Sequence, residues 1–272
     1  MVIMAWICFV MAGRSEHCMA AGVEGISLKL NTDITQYDVT GDGKADTVRI
    51  ESEKKIKKNE PSEGSWIIRI NGDVVYRSDP KYYVEYLTVV LYPVSDDKIY
   101  LNIKDEVGAN DDINSCAFYQ YQSGTLKKVC DVFSPMVQHK SLMHIYVTSM
   151  KVHKNVIRVT YINQFSVTGY LGWSAVFRQK NGVWKVDGDT YSALSKKSLT
   201  ANRKITLYRK PGGKGKVLTM NKGQKVKVDQ ICLKNKKAYI HMVLPNGTGG
   251  WMESTGKHYM DGYYFKEVVF AG

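Results

Sequence analysis

Short runs of alternating apolar and polar residues, separated by turn signals, fill most of this 272-residue chain. Residues 66–70 and 74–76 alternate on either side of Asn71-Gly72, a dipeptide that favours the two-residue turn of a β-hairpin. The same alternation recurs up to residues 183–186, without a long stretch of helical periodicity. The pattern predicts an all-β protein whose N-terminal part is an antiparallel β-domain, either a sandwich or a partial propeller-like array of about ten strands.

The alternation continues to the C-terminus in shorter segments. Turn residues such as Pro211-Gly212-Gly213 separate them. Five or six short strands within about 70 residues suit a small barrel, because closure removes exposed strand edges. The strands are predicted at residues 205–208, 216–219, 225–229, 238–243, 249–252 and 268–270.

The order of these C-terminal signals resembles the bacterial SH3 (SH3b) family. Leu207-Tyr208 precedes the Pro-Gly turn, Lys222-Gly223 precedes an alternating valine strand, and Gly250-Trp251 comes late. The resemblance covers residues 199–272 and departs from a minimal module in a polar insertion at residues 255–263. It implies an SH3-like barrel that binds cell-wall peptides or serves as a spacer in an exported protein.

Trp251 is the first candidate for ligand binding in this module, followed by Tyr208 and Tyr239. An exposed aromatic ring offers a flat face to a peptide or a sugar. The alternative is that Trp251 is a core residue of the barrel. The further aromatic candidates are Tyr259, Tyr263 and Tyr264.

Charge divides the chain at the same place. Residues 197–272 carry 15 Lys and Arg against 4 Asp and Glu, a balance of +11, whereas the first 196 residues carry 23 against 22. The asymmetry predicts an antiparallel β-domain over residues 22–196 and the basic module over 197–272. A basic face attracts polyanions, so cell-wall peptidoglycan or an anionic wall polymer is the predicted partner; otherwise the lysines serve solubility.

The N-terminus predicts export. Residues 2–12 are apolar, a length typical of a signal-peptide core, and the small residues Ala20 and Ala21 suit cleavage. No Lys or Arg precedes the apolar run, which is atypical of such a segment. The run is too short to span a bilayer, which takes about 20 apolar residues. We therefore predict a signal peptide over residues 1–21 and a secreted or cell-wall-associated monomer with no membrane span after cleavage.

A loop of alternating oxygen donors lies near residue 40. Ca²⁺ prefers six to eight oxygen ligands, and glycine at the sixth position of such a loop lets alternate residues point inward. Gly43 holds that position, and Arg49 stands at the twelfth, where a helix–loop–helix site carries Glu. The residues that follow alternate like a strand, which predicts a calcium loop between strands. The predicted ligands are Asp38, Thr40, Asp42, the Lys44 carbonyl and Asp46.

This loop resembles those of FG-GAP/VCBS-type calcium-binding β-repeats. Thr40 replaces the usual Asn or Asp, and the chain contains no second copy. The resemblance implies a bound Ca²⁺ that joins two strands. A calcium ion at a strand connection neutralises clustered carboxylates and orders the loop, so its expected role is structural. The alternative is an Asp- and Gly-rich turn that binds no metal.

Three cysteines follow the predicted signal peptide. Cys116 and Cys130 flank a predicted hairpin around residues 122–124. A three-residue loop would place the thiols opposite each other, where a disulfide is possible, whereas a two-residue turn would shift the pairing by one residue and set two reduced thiols on opposite faces. Cys232 has no Cys or His at zinc-ligand spacing.

These features favour an exported binding protein that is not an enzyme. The basic module would attach it to the wall while the calcium-stabilised β-domain binds an unknown ligand. A wall or glycan hydrolase is an alternative, although the cysteines lie in amphipathic runs and no Gly-x-Ser-x-Gly occurs. A basic nucleic-acid-binding protein is a second alternative, against which export argues.

Overall fold

The computed structural model describes residues 23–52, 66–79, 84, 86–95, 98–107, 112–139, 142–194, 198–255 and 263–268. The predicted signal peptide at residues 1–21 and the candidate Tyr259 lie outside these ranges. Within them, no helix has the length and apolar character needed to cross a membrane.

Twenty strands and one short helix follow each other along the described chain. Their bounds are β1 Ile26–Ser27, β2 Ile34–Tyr37, β3 Asp46–Ser52, β4 Trp66–Ile70, β5 Asp73–Arg77, β6 Tyr86–Ser95, β7 Lys98–Val107, β8 Asp112–Gln122, β9 Thr125–Asp131, α1 Ser134–Val137, β10 Leu142–His153, β11 Val156–Phe165, β12 Gly169–Lys180, β13 Val183–Val186, β14 Thr190–Ala193, β15 Ser198–Thr200, β16 Ile205–Tyr208, β17 Lys216–Met220, β18 Lys225–Lys234, β19 Lys237–Val243 and β20 Gly249–Ser254. The prediction of an all-β protein with antiparallel sheets is confirmed.

The strands form three sheets. A four-stranded sheet has the order β2-β3-β4-β5, and a five-stranded sheet has the order β1-β6-β7-β8-β9. A long sheet runs β10-β11-β12-β14-β18-β19-β20-β16-β17, with β13 paired to β12 and β15 paired to β18. All strand pairs within these sheets are antiparallel, as hairpins and meanders require.

The five-stranded sheet is the middle layer, because both of its faces are buried. Leu91 and Leu101 on one face join a core cluster with residues such as Ile68 of the four-stranded sheet. Tyr100 and Phe118 on the other face join the main core cluster with residues of the long sheet. Successive residues of a strand point to opposite faces, so Tyr100 and Leu101 enter different clusters.

The C-terminal strands do not close into a barrel within the described residues, which corrects the expectation from the strand count. Strand β18 bends at a bulge between Val228 and Gln230. Its first part pairs with β15 and its second part pairs with β14. Because β14 joins β18 to β12, the C-terminal strands extend the long sheet. Strand β17 lies at the end of this sheet, and β16 is the only described strand with which it pairs.

Sheet and core continue across the predicted boundary between residues 196 and 197. Tyr191 of β14 lies opposite Ile231 of β18, and both belong to the main core cluster. The turn between β11 and β12 is buried, where the Ser166 and Ser254 hydroxyls lie 2.9 Å apart.

Candidate functional site

The three aromatic residues predicted to bind ligand line one pocket of about 370 Å³. Tyr208 of β16 lies opposite Trp251 of β20, and Tyr239 of β19 lies opposite Glu253, two residues further along β20. Side chains two residues apart on a strand share a face, so the pairing brings these rings to one surface. Residues from the turn between β16 and β17 complete the lining, among them Lys210 and Lys214.

Trp251 is half-buried, and it is a member of neither core cluster. Its ring lies 4.9 Å from that of His241, whose Nδ1 is 2.6 Å from Asp229 Oδ1. The ring therefore faces the pocket, in contrast to the fully buried Trp173.

Gly250 explains why the Gly-Trp dipeptide stands at this point of the sheet. A Cβ atom at position 250 would lie 2.9 Å from Leu207 Cβ and 3.0 Å from the Tyr208 carbonyl oxygen. Only a residue without a side chain lets β20 approach β16 this closely. That approach places Trp251 beside Tyr208.

The pocket is basic. Glu253 is paired with Lys237 at 3.0 Å. Lys210 and Lys214 are exposed and form no ion pair within the described part of the chain. Burial, and next the charge of Glu253, raises the pKa of Tyr239, so its hydroxyl stays protonated at neutral pH. The arrangement offers aromatic faces and hydroxyls to a ligand beside the ammonium groups of Lys210 and Lys214.

Tyr263 and Tyr264 are not among the residues that line this pocket. Tyr263 is exposed, and the Arg203 guanidinium lies 5.1 Å from the centre of the Tyr264 ring. No local pattern predicted His241, Asp229 or the two pocket lysines as neighbours of Trp251, because strand pairing across the sheet creates this proximity.

Hydrogen bonds to carboxylates hold the predicted calcium loop, and most of them go to Asp38 and Asp46. The Asp38 carboxylate accepts bonds from the backbone N–H groups of Gly41, Asp42 and Gly43 at 2.7–3.1 Å. The exposed Asp42 accepts one from the Lys44 N–H at 2.8 Å. Gly43 has a φ of +85°, a left-handed conformation that glycine adopts without steric cost.

Asp46 is the buried anchor of this loop. Its Oδ2 accepts the N–H groups of Val39 and Thr40 at 2.6 and 2.7 Å. Its Oδ1 accepts the Thr40 hydroxyl at 3.2 Å and the Asn71 amide at 2.5 Å. Two oxygens that accept four hydrogen bonds use the acceptor capacity of a carboxylate, so Asp46 would have to give up at least one of these bonds to ligate a metal ion.

Among the described residues, no three His, Cys, Asp or Glu side chains are placed together to hold a metal ion. Thr40 and the Lys44 carbonyl, the two neutral predicted ligands, do not belong to these four residue types. Calcium binding by Asp38, Thr40, Asp42, Lys44 and Asp46 stays a prediction.

The three cysteines that the structure describes, Cys116, Cys130 and Cys232, are free buried thiols. The turn between β8 and β9 is the two-residue Ser123-Gly124, and a bulge after Phe118 places Cys130 opposite Phe118. Cys116 and Cys130 thereby enter the same core cluster. Burial raises the pKa of both thiols to about 12, so they remain protonated and weakly nucleophilic at neutral pH.

A buried carboxylate, Asp105, lies between the two smaller sheets and was not predicted from the sequence. Asp105 accepts the Ser115 hydroxyl at 2.6 Å through Oδ2, while its buried Oδ1 has no hydrogen-bond partner among the described residues. The rings of Tyr76 and Tyr119 meet edge to face at 5.5 Å, and burial, followed by the charge of Asp105, raises the pKa of each. Burial raises the pKa of Asp105 itself.

We expect Asp105→Asn to stabilise the protein at pH 7 by about 1 kcal/mol, because it removes a buried and incompletely hydrogen-bonded charge. A carboxyl whose folded pKa is raised binds protons more readily in the folded state, so wild-type stability rises as pH falls through that pKa. The gain from Asp105→Asn should therefore shrink toward pH 4. Urea midpoints at the two pH values measure it.

Asp131→Asn is the matched control with the opposite sign. Burial acts to raise the pKa of Asp131, but hydrogen bonds from Ser134 at 2.7 and 2.8 Å and from the Phe133 N–H outweigh it and lower the pKa. Its contribution to stability is present at pH 7 and lost as pH falls through the folded pKa. We expect Asp131→Asn to destabilise at pH 7 and to lose this effect in acid. Equal pH profiles for the two variants would contradict this assignment.

Comparison with models of protein families, with curated proteins and with solved structures found no match to this chain.

Proposed function

We propose that this chain is an exported binding protein of the cell wall or cell surface. The basic C-terminal module, residues 197–272, attaches to wall peptide or to an anionic wall polymer. The β-domain over residues 22–196, with the predicted calcium loop, binds a further ligand. The observation that carries the proposal is the pocket of Tyr208, Tyr239 and Trp251 beside Lys210 and Lys214, which form no ion pair with a described residue. Aromatic faces next to free cations suit a ligand that combines flat or apolar groups with negative charge.

Binding is favoured over hydrolysis by the state of the candidate nucleophiles. Cys116, Cys130 and Cys232 are buried, and burial raises the pKa of each thiol. His241 contacts Asp229, but no hydrogen bond joins it to a serine or cysteine among the described residues. A nucleophile activated by a neighbouring base needs such a contact.

The test is binding of the mature protein to purified cell wall. We expect Trp251→Ala to weaken binding by about tenfold or more, since a central aromatic residue often supplies over 1.4 kcal/mol of binding energy. Tyr263→Ala, which removes an exposed ring outside the pocket lining, is the matched control and should bind like the wild type.

A salt series separates groove recognition from charge attraction. Binding that persists at about 1 M salt, where electrostatic screening acts within about 3 Å, indicates specific contacts in the pocket. Wild-type and Trp251→Ala proteins with equal wall affinity would contradict the proposal.

A further inference from the structure

A second basic pocket lies on the same face of the C-terminal strands as the aromatic pocket, at the other end of β19. Its volume is about 580 Å³. Two lysines of β18 and a serine of β15 meet apolar residues from the end of β19 and the turn after it. The residues that matter are Ser198, Lys225, Lys227, Val243, Leu244 and Pro245.

The two pockets share one face of β19. Tyr239, His241 and Val243 are alternate residues of β19, so these three side chains point to the same side of the sheet, where Tyr239 is buried and the other two are half-buried. Tyr239 lines the aromatic pocket and Val243 lines the second pocket. Four residues along the strand, at about 3.3 Å each, separate Tyr239 from Val243 by about 13 Å.

The surface that connects the two pockets carries two aromatic rings. Trp251 and His241 lie side by side there, opposite each other on β20 and β19. Gly249 follows on the same face, and a Cβ atom at this position would meet His241 Cε1 at 3.0 Å and Val243 Cγ2 at 3.1 Å. The absence of a side chain at position 249 therefore leaves room for the His241 imidazole and the Val243 side chain on this surface.

Positive charge is concentrated at the two ends of this surface. Lys210 and Lys214 flank one end and Lys225 and Lys227 the other, and none of the four forms an ion pair with a described residue. Asp229, the carboxylate near the middle, is turned toward His241 at 2.6 Å. A ligand that matches these charges carries anionic groups that reach both ends.

We propose that the two pockets form one track that binds an extended linear polyanion, with anionic groups held by the lysine pairs at both ends and the chain lying over Trp251 and His241. This inference rests on the proposed function, because it names a phosphate-bearing linear polymer as the wall ligand. A neutral wall peptide would leave both lysine pairs without counter-charge. Two linked contacts bind more tightly than either alone, because the second becomes intramolecular.

The probes are long-chain polyphosphate and tripolyphosphate, compared at equal phosphate concentration by titration of the full chain. Tripolyphosphate is shorter than the track and reaches one end only. We expect the wild type to prefer the long chain by about tenfold or more, and either Lys225→Gln/Lys227→Gln or Lys210→Gln/Lys214→Gln to remove that preference. Each double variant should also flatten the dependence of log affinity on log salt concentration by about one to two charges.

The control is Lys151→Gln/Lys154→Gln on the exposed hairpin between β10 and β11, which removes the same charge away from the track. It should keep the long-chain preference. A Lys225→Gln/Lys227→Gln variant that behaves like this control overturns the inference. A matching thermal midpoint confirms that each variant is folded.

Wall stripped of its anionic polymer by acid distinguishes the two proposals. If stripped and intact wall bind equally and Trp251→Ala abolishes both, the proposed function stands and the polyanion inference fails in favour of wall peptide. If wall binding is absent while the long-chain preference and its loss in both lysine variants remain, the inference stands and the proposed function fails.

Discussion

Replacing Asp46 with alanine is expected to lower the free energy of unfolding by about 3 kcal/mol. The change removes the acceptor of four hydrogen bonds and leaves the buried N–H of Val39 without a partner. Each buried polar group left unsatisfied costs about 1–3 kcal/mol, and more than one is left here. Urea unfolding in the presence of chelator measures this loss without any contribution from metal.

Asp42→Ala is the companion variant, because Asp42 is exposed and accepts a single hydrogen bond from the Lys44 N–H. Its cost in chelator should stay within about 0.5–1 kcal/mol. If the loop binds calcium as predicted, added calcium raises the wild-type midpoint and Asp42→Ala reduces that rise. A midpoint that calcium leaves unchanged in the wild type contradicts the calcium prediction, and an Asp46→Ala cost no larger than that of Asp42→Ala contradicts the role given to Asp46.

Trp173→Ala is expected to have the largest effect on stability, about 3–5 kcal/mol. Trp173 is fully buried, and its ring lies 4.6 Å from Tyr161 and 4.9 Å from Tyr191. Its indole N–H donates to Asn163 Oδ1 at 2.7 Å, so the substitution also leaves a buried amide oxygen unpaired. Trp251→Ala is the matched control, because the same substitution at a half-buried ring should cost less than half as much.

The same experiment tests how the two parts of the chain depend on each other. Tyr191 connects the Trp173 stack to β18, so the loss should spread through the whole sheet. We expect one cooperative transition that shifts as a unit. Two transitions of which only one moves, or equal costs at positions 173 and 251, would contradict this coupling.

Local signals predicted most individual strands well. Val183–Val186 coincides with β13, and Asn71-Gly72 forms the β4–β5 turn with φ values of +54° and +88°. These elements are defined by turn chemistry and alternation within a few residues. Strand β14, with its short polar sequence at residues 190–193, carries no such pattern and was missed, although it joins β12 to β18.

The candidate site shows the same division. Tyr208, Tyr239 and Trp251 were predicted individually and do line one pocket. Their proximity depends on β16 pairing with β20 across about forty residues of chain, which local pattern does not determine. The Asp229–His241 contact depends in addition on the β18 bulge.

The middle sheet raises a question of register, because a strand with both faces buried loses little hydrophobicity when it slips by one residue. The sizes of the side chains on the two faces, and not their polarity, select the correct register. The face toward the long sheet carries Tyr92, Tyr100 and Phe118, whereas the opposite face carries Leu91 and Leu101. A slip would press these rings into positions packed for Leu91 and Leu101 and leave gaps on the other face, and close-packed interiors accommodate neither. Swapping Leu101 and Tyr100 by a double substitution should thus disrupt folding although the composition is unchanged.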